Sequence, residues 1–374
     1  MTKTSKAANS GVDALLGFEF QRNCALYLLL NNYAHISSRE FFLCIEHHDD
    51  FLFCYRSDCL SNIEAIDSYQ AKKLSGGIWT IDARFAEIIA KMLDAGNNLR
   101  SDPAPKCKEY THSLTFISNT DIKLSYSPKK EEKQKGKTDI IYLLNEQNSK
   151  SRYEDIPEEI KNKIKEKVRD HCTKESSTYH DTEFCNLNIQ WVDFPRNKNS
   201  QKDILVGLMC RTFPHIPDHS AAVELLLSLF RDVEAVYNQG KIINLLDETK
   251  RIEGNEIKKA IKIIETEQKA FKLWRANSTE LAQKFRIPIG VQTSHENHIR
   301  NAFELLKDMS NNEHQTIKTF IKENNYALNF YSYDEMFDAY ITDIKNSNNI
   351  NLKDIDIFFA ALCAFVEHHS EKSK

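Results

Sequence analysis

Glycine and proline are scarce, with ten and eight in 374 residues. An all-β chain needs a turn every strand or two and draws on both residues for them, so their shortage favours long helices. No apolar run approaches the ~20 residues that span a bilayer, mean hydropathy is −0.53, and no membrane association is expected. Met1–Ser10 is polar, without the apolar stretch of a secretion signal, so the expected location is the cytoplasm. None of the nine cysteines forms a Cys-x-x-Cys pair; an odd, scattered set reads as reduced thiols, and it lacks the close ligand spacing of structural zinc. There is no Walker loop, no Gly-x-Ser-x-Gly, no Rossmann glycine pattern and no internal repeat. Neither sign of charge dominates, 50 Lys and Arg standing against 54 Asp and Glu for a net −4. That excludes a histone-like polybasic protein while leaving room for a local basic groove on phosphates.

What is present is a globular chain, 41% apolar and 28% charged, long enough for two or three cores. Ala14–Leu30 reads as a helix. Glu40–Ile45 and Phe51–Tyr55 are short apolar runs around Glu46-His47-His48-Asp49-Asp50, the pattern of a β-hairpin, and Ile63–Lys72 is a third strand. In Ile81–Leu93 the apolar residues Phe85, Ile88, Ile89 and Met92 have helical spacing. Ser113–Ser118 and Asn186–Val192 are further strands. This order predicts an α/β fold with a mixed sheet. Ser127–Lys137 (SPKKEEKQKGK) is either a solvated loop or an arm for DNA phosphates, and the interleaved Glu131 and Glu132 weaken the second reading. From Lys202 onward strands nearly vanish. His219–Tyr237 and Asn255–Phe271 are helical, Ser332 with Glu335 forms a capping box before Met336–Ile344, and Asp354–His368 is a very apolar last helix.

One segment can carry chemistry. On a strand Ile63–Lys72, side chains alternate, so Gln70 and Lys72 share a face with Ile66 and Ser68, while Asp67 and Tyr69 point away. A carboxylate at the end of the neighbouring hairpin meets Gln70 and Lys72 there; otherwise the pair sits on a solvated edge and Asp50 only completes a turn. Glu64 is on the same face as Gln70 but six strand residues, ~20 Å, distant. Adjacent His47 and His48 diverge on a strand, so at most one joins a given site. His295-x-x-His298 lies one helical turn apart without a third ligand and reads as surface histidines; His368-His369 reads as a frayed end.

These residues resemble the PD-(D/E)xK nuclease superfamily in its Gln-x-Lys variant. Together, Gly17-Phe18-Glu19-Phe20-Gln21, Glu46 with Asp49-Asp50, Tyr69-Gln70-Ala71-Lys72, Trp79 and Phe116-Ile117-Ser118-Asn119 resemble the dsDNA endonuclease domain of anti-phage CBASS effectors. The same domain is the nuclease subunit of Lamassu systems, and the resemblance runs from about Gly11 to Asn255. It implies a restriction-endonuclease-like mixed sheet flanked by helices over residues 1–255, then a mainly helical regulatory or oligomerisation domain over 256–374. It implies Asp50, Gln70 and Lys72 as the catalytic set, Asp50 and Gln70 as ligands of Mg²⁺ (or Mn²⁺), and Glu46, Gln21 and Glu19 as auxiliary residues. Mg²⁺ takes oxygen ligands, and Lys72 would position the attacking water and offset developing charge. The substrate implied is double-stranded DNA.

A free dsDNA nuclease harms its host, so restraint is expected. CBASS effectors carry a larger cyclic-oligonucleotide sensor of two α/β lobes. A short helical remainder favours the Lamassu-like arrangement, with an SMC-like ATPase and an accessory subunit as partners and activation by self-assembly. A CBASS effector with an unusual sensor and a catalytically silent interaction subunit are the alternatives. Cutting both strands needs two sites, which two-fold symmetry supplies, so a homo-oligomer is expected. The Ile357–Val366 segment, apolar nearly all round, serves either that interface or the core of the C-terminal domain.

Overall fold

The computed structural model describes residues 10–372 apart from 47–49, 58–61, 75, 135, 215, 217, 237–243, 309 and 348–349. The chain divides into two compact units, the first of residues 1–214 and 219–258, the second of 215–218 and 259–374.

The described residues of the first unit form the strands β1 Phe41–Ile45, β2 Phe51–Arg56, β3 Ile63–Lys72, β4 Trp79–Thr80, β5 Lys106–Ser118, β6 Ile122–Tyr126, β7 Ile140–Leu144, β8 Lys150–Arg152, β9 Leu187–Trp191 and β10 Arg251–Glu253. Seven form a mixed sheet in the order β10-β1-β2-β3-β5-β9-β8. β3, β5 and β9 run parallel, and β10, β1, β2 and β8 pair antiparallel. Parallel strands covered on both faces read as nearly continuous apolar runs, and Leu114–Ile117 in β5, broken only by Thr115, is buried throughout. The first helix, Ser10–Asn31, packs with helices Lys198–Thr212 and His219–Glu234; helix Ala83–Ser101 packs with Glu158–Glu175. Phe42, Cys44, Leu52, Cys54 and Ile66 alternate along β1, β2 and β3 into one core with Phe85, Ile89 and Met92 of helix Ala83–Ser101. Each such side chain contributes roughly 1.5–3 kcal/mol on burial.

The mixed sheet and flanking helices agree with the fold expected. Two parts of it were not foreseen. A second sheet, β4-β6-β7, is joined to the first by Trp79, whose Nε1–H donates to Ser118 Oγ at 2.8 Å. β10 returns from far along the chain to cover the edge of β1, and Gly254 after it permits close approach, since a Cβ there would lie 2.6 Å from Phe41 Cε1. Ser127–Lys137 contains a short helix, Lys130–Gln134, and Glu132 accepts from Lys129 N at 2.9 Å and pairs with Lys137 at 3.5 Å, so its charges are partly satisfied within the loop. The eight cysteines among the described residues are free thiols.

The second unit is helical: Gly254–Lys284 (its first turn belonging to the first unit), Ile289–Thr293, His295–Lys307, Asn312–Glu323, Tyr333–Ser347 and Asp354–Lys372. The last of these packs against His295–Lys307, Asn312–Glu323 and Tyr333–Ser347 and meets Trp274 of Gly254–Lys284, and every residue from Ile357 to Val366 is buried. That decides between the two readings of this segment: its apolar surface is spent on the unit's own core with Trp274, Phe337 and Tyr340, and is not offered to a second copy. The expectation of surface histidines fails for the same reason. His295 stacks on Trp274 and His298 on Phe359, both half-buried. His368 and His369 lie within the last helix, where the His369 ring packs on Phe365.

Candidate active site

The hairpin of β1 and β2 and the end of β3 build the site. Phe51 pairs with Tyr69 and Leu52 with Ser68. The same antiparallel register carried one residue further sets Asp50 opposite Gln70. Glu46 closes the hairpin, its N–H donating to Asp50 O at 2.9 Å from a left-handed backbone (φ 51°). His47, His48 and Asp49 lie outside the described residues.

Three successive residues at the end of β3 converge on the Asp50 carboxylate. Gln70 Nε2 donates to Oδ1, Ala71 N donates to Oδ2 at 2.7 Å, and Lys72 Nζ lies 3.2 and 3.1 Å from the two oxygens. Asp50 and Gln70 are each only 7% exposed, while the Lys72 side chain keeps 27% of its surface. Gln21, on the first helix, adds a hydrogen bond to Asp50. Burial nevertheless raises the Asp50 carboxyl above its ordinary value, against the opposing pull of Lys72, Ala71 and Gln21. Glu46 is pushed up to about 7, first by burial and then by the charges of Asp50 and Glu234, with Lys72 and Lys250 pulling the other way.

Of the residues singled out from sequence, Asp50, Gln70, Lys72, Glu46 and Gln21 meet here. Glu19 does not: it turns to Lys198, 2.7 Å away, because it faces the start of helix Lys198–Thr212 and not the sheet. Glu64 pairs with Arg39 at 3.1 Å, remote from Gln70 as its spacing requires. Lys250 was missed. It is a buried lysine whose Nζ donates to Val236 O, and the pairing of β10 with β1 carries its charge close enough to act on Glu46. Its only sequence signal would have been that three-residue strand.

Asp50, Gln70 and Glu46 form one end of a cleft of about 720 Å³, with Glu87, Lys91 and Asp94 of helix Ala83–Ser101 and His171 and Glu175 of helix Glu158–Glu175 on its other walls. Residues 9–235, more than half of the chain, match the family model of the Cap4 dsDNA endonuclease domain. The chain belongs to that family. A similar solved structure is the Moraxella osloensis Cap4 SAVED/CARF-domain containing receptor, at 11% identity and a TM-score of 0.32, with 67% of this chain and 48% of that one covered; the chain thus matches about half of that receptor's length. No curated protein matches it.

A divalent cation fits the donor chemistry of this Cap4-family site. Gln21 Oε1 and Glu46 Oε1 are both buried and accept no hydrogen bond among the described residues, a costly arrangement for lone protein oxygens. With Asp50 and the Gln70 amide they make a set of oxygen donors only, as a hard cation requires. Among the described residues no three His, Cys, Asp or Glu side chains group as a metal site. A cation here would therefore draw on amide oxygens beside the carboxylates.

Proposed function

We propose that the chain is a metal-dependent endonuclease of bacterial anti-phage or anti-plasmid defence, cutting double-stranded DNA with Asp50, Gln70 and Lys72. The observation that carries this reading is the convergence of Gln70, Ala71 and Lys72 on one buried carboxylate at the end of a large cleft, inside the segment that matches the endonuclease family. Asp50 and Gln70 would hold Mg²⁺ or Mn²⁺, with Glu46 and Gln21 completing the donor set. When bound, the cation supplies charge stabilisation for the phosphoryl oxygens and lowers the pKa of water.

The side chains do the rest. Ala71 N–H and Gln70 fix the Asp50 carboxylate in one orientation, so little reorganisation is needed when the phosphodiester arrives. Lys72, on the Asp50 carboxylate and with 27% of its side chain exposed, holds the attacking water and balances the charge that grows on the phosphate. Gln70 replaces a carboxylate by a neutral amide, leaving the site one negative charge lighter for an anionic substrate.

The helical second unit supports the Lamassu-like arrangement, in which an SMC-like ATPase and an accessory subunit restrain the nuclease and self-assembly releases it. The family match favours CBASS-like defence in general, and a cyclic-oligonucleotide-activated effector is the second reading. Plasmid cleavage by wild type and Lys72→Ala in Mg²⁺ tests the core of the proposal. Lys72→Ala should lose roughly 10²–10³-fold in rate, about 2.7–4 kcal/mol of transition-state stabilisation, with its fold intact. Equal activity in the variant, or cleavage in EDTA, rejects the site. Stimulation of wild type by cyclic oligonucleotides would favour the second reading.

A further inference from the structure

The helical unit contains a half-open cavity of about 170 Å³, lined by His298, Asn301, His314, Asp356, Phe359 and aliphatic neighbours. It draws on three helices: His298 and Asn301 from His295–Lys307, His314 from Asn312–Glu323, and Asp356 and Phe359 from Asp354–Lys372. The volume is below the ~300–1,000 Å³ that encloses drug-sized ligands, so its occupant is a small molecule or one side chain.

His314 sets the chemistry. It is 3% exposed. Asn311 Oδ1 caps the helix by accepting from His314 N at 3.2 Å, which identifies that atom as the amide oxygen, and the ring Nδ1 lies 3.0 Å from it. Nδ1 must therefore carry the proton, leaving Nε2 as an acceptor. Nε2 has no partner among the described residues, although Nδ1 and the backbone of the same residue do. Burial lowers the His314 pKa, against the opposing charges of Glu313 and Asp356, and keeps the ring neutral. Glu313 is committed elsewhere, accepting from Asn351 N at 2.6 Å. The cavity thus offers a neutral acceptor in His314, a carboxylate in Asp356, and an aromatic wall in Phe359 with the His298 ring stacked 5.2 Å from it.

From this geometry we infer that the cavity binds an organic cation with N–H donors, a primary ammonium or guanidinium head. Its donors are taken up by His314 Nε2 and Asp356, and its charge rests beside the carboxylate and the aromatic wall. An anion is excluded, because the cavity has no cationic side chain in its lining and one carboxylate. The head group belongs either to a free aliphatic amine or to a side chain of another protein.

The test is a titration of the full-length protein, with ¹⁵N-labelled histidine, by agmatine, putrescine and Nα-acetyl-arginine amide, following the His314 Nε2 resonance. A saturable shift with agmatine or putrescine identifies a free amine; a shift with the blocked arginine alone identifies a protein side chain. Asp356→Asn should weaken binding roughly tenfold or more, the worth of a charge-assisted hydrogen bond. Asn301→Arg, which brings its own guanidinium to the cavity, should abolish binding. Absence of a saturable shift with all three probes at millimolar concentration, or equal affinity in both variants, overturns the inference.

Discussion

Two buried carboxylates in the first unit have opposite fates. Glu183 is 1% exposed, and Asp50 is 7%. Burial raises both, but around Glu183 it is overcome by His112 at 2.7 Å, Asn186 at 2.9 Å and Arg100 at 2.6 Å, and the pKa falls below its ordinary value. Around Asp50 the donors are Lys72, Ala71, Gln70 and Gln21, a second acid stands nearby in Glu46, and the pKa stays raised. Glu183 is a finished ion-pair network that ties helix Ala83–Ser101 to β5. The Asp50 cluster is short of positive charge and keeps two buried oxygens without a donor. The protein compensates Glu183 with its own donors; around Asp50 it leaves oxygens that the proposed cation would complete.

The largest stability effect should come from breaking the compensated site. Glu183→Ala leaves His112 and Asn186 without their acceptor and should cost about 3–5 kcal/mol in a denaturant titration, while cleavage per folded molecule is unchanged. Gly96→Ala attacks the same place sterically, since a Cβ there would lie 2.7 Å from Glu183 Oε2 and 2.8 Å from Leu114 Cδ1; a loss of about 1–3 kcal/mol is expected. In contrast, Asp50→Asn removes an under-compensated buried charge and should leave stability in chelator equal or higher.

The pH dependence has opposite signs at the two places. Glu183, with a lowered pKa, contributes stability that is present above its unfolded value near 4.5 and lost as pH falls through the folded one. Glu46, raised to about 7, resists ionisation in the fold, so its effect runs the other way and stability falls as pH rises from about 4.5 to about 7. Glu46→Gln should remove that decline, with a gain of up to about 3 kcal/mol at pH 8 in chelator. The smallest effect concerns cation choice. Ca²⁺ coordinates loosely and with more ligands, so it should stabilise the protein much as Mg²⁺ does while supporting little cleavage, as compared by melting and plasmid assays.

Much of the main sheet was legible because β1 and β2 are continuous apolar runs and β3 alternates; that alternation put Gln70 and Lys72 on one face, while the choice of Asp50 in the acidic turn before Phe51 came from the family resemblance. The second sheet was not, because β4 has two residues and β7 leaves Ile141 and Leu143 exposed, so no single apolar face marks it. β10 is three residues held by the partner strand Phe42–Cys44 and not by its own propensity. The Glu183 network escaped for a different reason: its members, Arg100, His112, Glu183 and Asn186, are brought together by β5 and helix Ala83–Ser101 and share no spacing. Glu19 lies outside the cluster because Lys198 claims its side chain, which a helix face alone does not reveal.

The most direct test of the central claim is thermal unfolding with and without Mg²⁺, for wild type and Asp50→Asn. If Asp50 and its neighbours are completed by a cation, Mg²⁺ raises the Tm of wild type in proportion to RT ln(1 + [Mg²⁺]/Kd) and leaves that of Asp50→Asn unmoved. A wild-type Tm indifferent to Mg²⁺, or an equal rise in both proteins, would contradict the account.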